Sequence, residues 1–124
     1  MGEPAKKKIL LIDDSALIRQ MYADKLREAG YQVETASNGE EGIFKMISLA
    51  PDLVLLDMFM PKLTGFELIE KIKNEPSLSS IPIVAFSDVR VDHESLIKKG
   101  VKQVLVKGES KPHQIAEIID KMIS

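Results

Sequence analysis

Polar residues stand directly after four short apolar runs in this chain. Asp13 and Asp14 follow Ile9 to Ile12, and Asp57 follows Leu53 to Leu56. Ser87 follows Ile81 to Phe86, and Lys107 ends the run Val104 to Val106. Three acids, a hydroxyl and an ammonium are a set with joint chemistry if the fold brings them together. Three close carboxylates repel one another unless a cation joins them. With oxygen ligands only and no His or Cys nearby, the fitting ion is hard, Mg²⁺ or Mn²⁺. Mg²⁺ is commonly held by one or two carboxylates, waters and a phosphate. A lysine and a hydroxyl suit the remaining phosphate oxygens. The set therefore points to phosphoryl transfer, where a protein mainly positions groups and neutralises charge. A carboxylate can itself be the nucleophile, giving an aspartyl phosphate. Singly, each residue has a plainer reading: Asp13 or Asp14 as a helix cap, Asp57 and Ser87 as turn residues, Lys107 as solvated surface. The joint placement is what favours a site.

That placement depends on the elements. Ile9 to Ile12 reads as a strand buried on both faces. Ser15 caps a helix carrying Ile18, Met21, Tyr22 and Leu26, which Gly30 stops. Tyr31 to Ala36 reads as an edge strand. Asn38 with Glu41 opens a second helix, with Ile43, Met46, Ile47 and Ala50 at helical spacing and Pro51 at its end. Leu53 to Leu56 is the third strand. A helix from about Gly65 to Lys73 carries Phe66, Ile69 and Ile72, and Asn74 to Ser80 is a loop. Ile81 to Phe86 is the fourth strand, with Pro82 tolerated at its start. A polar helix runs from about Asp92 to Lys99, Val101 to Val106 is the fifth strand, and Pro112 opens a last helix with Ile115, Ile118, Ile119 and Met122. Five βα units with right-handed crossovers predict an α/β doubly wound parallel sheet with helices on both faces. Ligands of such sheets bind beyond the carboxyl ends of the strands, where the polar residues stand.

The bulk properties exclude other classes. A chain of 124 residues is one domain's worth and needs no staple. Apolar residues make up 44% and charged residues 29%, and there is no cysteine, so disulfides and thiolate metal sites are absent. The missing cysteines suit a reducing cytoplasm, the expected location. A net charge of −2 argues against direct nucleic-acid binding. No apolar run is long enough for membrane insertion, and Asp13 and Asp14 come too soon after Lys6 to Lys8 for a signal peptide.

Four segments in order resemble the receiver domain of two-component response regulators, over nearly the whole chain. Ile12-Asp13-Asp14-Ser15 resembles that family's acidic pair. Pro51 to Pro61, continuing to Gly65, resembles its phosphoacceptor strand and loop. Ile81 to Ser87 resembles the strand ending in the Ser/Thr switch, and Gly100 followed by Val104-Leu105-Val106-Lys107 resembles the strand ending in the lysine. The resemblance implies a flavodoxin-like (βα)5 sheet in the order 2-1-3-4-5, spanning residues 1–124 with about 1–7 as a lead-in. It implies that Asp57 accepts a phosphoryl group from a histidine kinase or phosphotransfer domain. Asp13 and Asp14 would hold Mg²⁺ together with Asp57 and the backbone carbonyl of Phe59. Ser87 and Lys107 would bond the phosphoryl oxygens, and binding to a downstream protein target would change. Such a protein is a signalling domain and not an enzyme in the ordinary sense. The chain ends as its last helix ends, as in a stand-alone receiver or one cut from a longer regulator.

The sequence departs from that pattern at several positions. Gly108 follows Lys107 where a proline is usual, and the Lys111-Pro112 pair comes four residues late. Val104 takes the place of a strand-five aromatic. Asp88 follows Ser87 where a small residue is common; it either slows phosphorylation, as an extra negative charge near the phosphate, or turns outward and caps the next helix. Phe59 and Val89 are apolar where the family tunes water access, which predicts a long-lived aspartyl phosphate. His93 and His113 are read as surface residues. Lys98, Lys99, Lys102 and Lys111 either solvate one side or dock an acidic partner. The alternative function is a receiver-like interaction module that no longer switches.

Overall fold

A computed structural model of the chain describes residues 6–87, 91–109 and 111–123. Asp88 and Val89, on which two expectations fall, lie outside the described residues, as do the first five of the lead-in. The alternation read from the sequence is realised as β1 Lys8–Ile12, α1 Ala16–Glu28, β2 Gln32–Ala36, α2 Gly39–Leu49, β3 Leu53–Asp57, α3 Gly65–Asn74, β4 Ile83–Ser87, α4 His93–Lys98, β5 Gln103–Val106 and α5 Pro112–Ile123. The strands form one parallel sheet in the order β2-β1-β3-β4-β5. The expected strand order and the edge position of β2 are therefore observed. β4 and β5 begin two residues later than their apolar runs. Pro82 has no amide hydrogen to donate to a ladder, which keeps Ile81 and Pro82 ahead of β4.

Short side-chain caps fix where the helices start. Ser15 accepts from the Ile18 amide, Asn38 from the Glu41 amide and Asp92 from the Ser95 amide. Thr64 and Glu67 form a reciprocal capping box at α3.

Two apolar cores lie on the two faces of the sheet. One joins Leu10, Ile12, Val54, Leu56 and Ala85 to α2, α3 and α4. The other joins Ile9, Leu11, Leu53, Leu55 and Phe86 to α1 and α5. Residues alternate along each strand between these cores, which is why β1 and β3 are apolar throughout. The expected helix stripes need three corrections, one of them Ala50, which is exposed at the left-handed C-cap just beyond α2. Met21 is exposed beside Leu17 on the outer side of α1, where Tyr22, Ala23 and Leu26 face inward. Ile47 is exposed beside Phe44 on α2, which approaches the sheet through Gly39, Gly42 and Met46 instead. A Cβ on Gly42 would stand 2.6 Å from Ile12 Cδ1, so this close contact is made by a residue that a hydrophobic pattern does not score.

Candidate functional site

Register decides what meets at the carboxyl edge. Ile12 pairs with Leu56, so Asp13 and Asp57 leave neighbouring strands at the same level. Asp57 pairs with Phe86 and Ser87 with Val106, so Ser87 and Lys107 follow one step further along the rim. The Lys107 amide donates to the Ser87 carbonyl at 2.6 Å, tying these two residues together at the end of the ladder. The chain order reverses between β1 and β3, the place where such sheets open a crevice.

Asp13 is fully buried and held from three directions. Its amide donates to the Ala36 carbonyl, its Oδ1 accepts from the Ser15 amide at 2.9 Å, and its carbonyl accepts from Arg19 Nη1 at 2.7 Å. Asp57 is 2% exposed, and its Oδ1 accepts from the Phe59 amide at 3.1 Å. Lys107 Nζ lies 3.1 Å from Asp13 Oδ2 and 3.2 Å from Asp57 Oδ1. It also stands over the Phe86 ring, 5.3 Å from the centroid, and that ring meets Tyr22 edge-on at 4.8 Å. The ammonium is therefore clamped between two carboxylates and an aromatic face.

One ammonium does not satisfy this much buried acid. Asp57 Oδ2 is buried without a hydrogen bond among the described residues, and Asp13 Oδ2 has only the Lys107 ammonium. Oxygens of Asp13, Asp14 and Asp57 all lie within 4.8 Å of one another, with Asp14 on the exposed side. Burial, with the Asp13 charge second, pushes the Asp57 carboxyl up to about 6, against the pull of the Phe59 amide and Lys107. Burial works against the Lys107 ammonium too. Asp13 and Asp57 outweigh it and hold its pKa above the ordinary value. A carboxyl so poorly compensated, with one buried oxygen lacking any donor, fits a hard cation entering past Asp14.

All the residues singled out on the strand ends thus meet on one rim: Asp13, Asp14 and Asp57 within a cation's reach, Lys107 paired with two of them, and Ser87 buried alongside. Sequence reading passed over Arg19, which steadies the Asp13 backbone, and Phe86, which lies under Lys107. Neither has a signal along the chain, because both act through space. It also passed over the role of Gly65. A Cβ there would stand 2.7 Å from the Asp57 carbonyl oxygen and 2.6 Å from Met58 Cα, and its amide donates to Met58 at 3.1 Å. Thr64 and Glu67 did carry a readable signal, the capping-box spacing just before this glycine.

Known proteins resemble this chain in sequence and, among solved structures, in fold. The family model described as response regulator receiver domain matches residues 9–120. The chemotaxis protein CheY of Thermotoga maritima is 35% identical over 118 residues, covering 94% of this chain and 97% of that protein. The gliding motility regulatory protein of Myxococcus xanthus is 35% identical over 123 residues, and the match covers 96% of this chain but spans only 16% of that protein's length. Among solved structures, Vibrio cholerae chemotaxis protein CheY4 superposes with a TM-score of 0.85 at 30% identity, covering 96% of this chain and 100% of that one. No described helix is long and apolar enough to cross a membrane.

Proposed function

The chain belongs to the response regulator receiver domain family, and on that premise we propose that Asp57 is its phosphoacceptor in a phosphorylation-dependent signalling switch. The observation that carries the reading is the pairing of Lys107 with both Asp13 and Asp57 while the buried Asp57 Oδ2 stands without a donor. The donor is a phosphohistidine on a kinase or phosphotransfer protein. A carboxylate oxygen of Asp57 forms the new O–P bond as the N–P bond breaks, and the electron pair returns to the donor's imidazole.

Each neighbour has a part in that transfer. Asp13 and Asp14, with Asp57 and the Phe59 carbonyl, would hold Mg²⁺ or Mn²⁺. The bound ion supplies charge neutralisation at the carboxylates and the phosphoryl oxygens. Lys107, in place on its Phe86 platform, moves from Asp57 to the transferred phosphate as the carboxylate becomes an acyl phosphate. The Ser87 hydroxyl bonds another phosphoryl oxygen. Burial of Asp13 and Asp57 keeps these charge interactions strong by excluding water. Phosphorylation then shifts a two-state arrangement of loop and helix on the β4–β5 side and changes binding to a downstream protein.

Val104 favours a readout other than a strand-five aromatic, since it is half-buried and packed on the α2–α4 side of the sheet. The alternative, an interaction module that does not switch, predicts partner binding that is indifferent to phosphodonor.

The deciding experiment is intact-protein mass spectrometry after incubation with acetyl phosphate or phosphoramidate. Wild type should gain one phosphoryl group with Mg²⁺ and none with chelator, and Asp57→Asn should gain none. Equal labelling of Asp57→Asn would place the acceptor elsewhere and end the proposal.

A further inference from the structure

Away from the acidic rim, a cleft of about 220 Å³ opens between α3 and the C-terminal end of α4. Its apolar lining comes from Phe66 and Ile69, and Lys73, Lys99, Asn74 and Glu70 complete the wall. Lys99 Nζ lies 5.8 Å from the Phe66 ring centroid. Lys73 is half-buried and donates to the Ser79 carbonyl at 3.1 Å. Burial, and then repulsion from Lys102, disfavours its charged form. Among the described residues no carboxylate lies within ion-pair distance of Lys73, Lys99 or Lys102, whereas the neighbouring Lys98 pairs with Glu94 at 3.6 Å. In a chain of net charge −2, this is a local reversal of sign.

We infer that the cleft between α3 and α4 docks an acidic segment of a partner protein, with an apolar side chain in the cleft and flanking carboxylates on Lys73 and Lys99. Three features select that occupant. The volume is below the roughly 300–1,000 Å³ of pockets that enclose a small-molecule ligand, so it suits one or two side chains of a longer segment. The apolar lining asks for a hydrophobic anchor. The uncompensated ammonium groups ask for carboxylates, and electrostatic complementarity of this kind sets specificity and association rate. The cleft also has a route to the rim: Phe66 meets Phe59 edge-on at 6.0 Å, and the Phe59 amide bonds Asp57. The docking itself does not rest on Asp57 being a phosphoacceptor.

An amide NMR titration of the whole chain, free of phosphodonor and divalent ions, tests this. The probes are acetylated hexapeptides with a central Leu, Ile or Phe flanked by glutamates, and the same peptides with glutamines. The glutamate set should produce saturable shifts at Phe66, Ile69, Lys73 and Lys99, with Kd on the order of 0.1–1 mM. The glutamine set should bind at least tenfold more weakly, and Lys99→Gln should weaken the glutamate set at least fivefold. Lys99→Gln is the primary variant because Lys73 also supports the Ser79 loop. Absence of saturable shifts with every peptide, equal binding by the glutamine set, shifts centred on another face, or the same shifts from inorganic phosphate at equal concentration would each overturn the inference. Labelling of Asp57 is measured separately, so either proposal can fail without the other.

Discussion

Lys107 and Asp57 meet at 3.2 Å across the end of the sheet, and the same ammonium reaches Asp13 at 3.1 Å. Lys107 is the only described cation paired with either carboxylate, so replacing it leaves two buried acids facing each other. Lys107→Met should lower stability at neutral pH by about 2–3 kcal/mol, less than for a fully buried pair because Lys107 is partly exposed. Phosphodonor labelling should slow by about 10- to 100-fold through loss of the charge that meets the phosphate. Urea denaturation and a labelling time course check both. A variant as stable and as quickly labelled as wild type would show that the ion pair is incidental.

A divalent ion should stabilise the folded chain through the same carboxylates. Binding only to the native state adds RT ln(1 + [L]/Kd), about 2.7 kcal/mol at one hundred times Kd. Tm measured with rising Mg²⁺ should climb for wild type and stay nearly flat for Asp13→Asn and Asp57→Asn. An equal climb in all three would place ion binding outside the rim.

Asp57 should also give this protein an unusual pH dependence. Its carboxyl is raised from 3.8 to about 6, by burial first and Asp13 second. The native state therefore binds the proton more tightly than the unfolded state does. Ionised Asp57 penalises folding fully above about pH 6, and the penalty is relieved as pH falls through 6 toward 4, on the order of 3 kcal/mol at most. In chelator, Asp57→Asn should be the more stable protein at pH 7.5 and should lose that advantage by about pH 4. A constant difference across the range would mean that Asp57 does not titrate near 6.

The fold was legible because each layer carries its own signal. β1 and β3 are short runs apolar at every position, and Ser15, Asn38 and Pro112 mark helix starts by type. The chemistry of the rim was legible for the same reason, since Asp13, Asp57 and Lys107 each end or directly follow an apolar run whose register the sheet fixes. What failed to show were relations that cross between elements. Met21 and Ile47 lie at helical spacing but face outward, because Ala23, Gly39 and Gly42 let α1 and α2 approach through small residues. The placement of Lys107 over Phe86 depends on strand alternation and helix packing together, which no local pattern encodes.

Phe59 offers a test of phosphoryl lifetime. Its side chain is 42% exposed and meets Phe66, so the position two after Asp57 presents a ring where a polar group could orient an attacking water. Phe59→Asn should speed loss of the phosphoryl group several-fold, and it also removes the contact to α3. Phe66→Leu breaks that contact without adding an amide and separates the two causes. Equal dephosphorylation rates in wild type and Phe59→Asn would remove the shielding idea.

Gly65 sets the closest approach between the site and the helix behind it. Its Cα stands where an added Cβ would meet Met58 Cα at 2.6 Å and the Asp57 carbonyl at 2.7 Å, both backbone atoms that cannot rotate away. The Gly65 amide bonds the Met58 carbonyl at 3.1 Å, so relief of the clash must pull α3 from β3 or move the Asp57-Met58 peptide. Gly65→Ala should therefore cost about 1–3 kcal/mol in stability and lower phosphodonor labelling with it. Gly39→Ala is the matched control. Its Cβ would stand 2.5 Å from Leu63 Cδ2, 2.9 Å from Cγ and 3.1 Å from Cβ, so that loop residue must shift as a whole while the backbone of β3 stays in place. That variant should lose less stability and keep labelling near wild type. If Gly65→Ala labels as fast as wild type while Gly39→Ala does not, the loop carrying Leu63 governs the geometry of Asp57, and the approach of α3 to β3 does not.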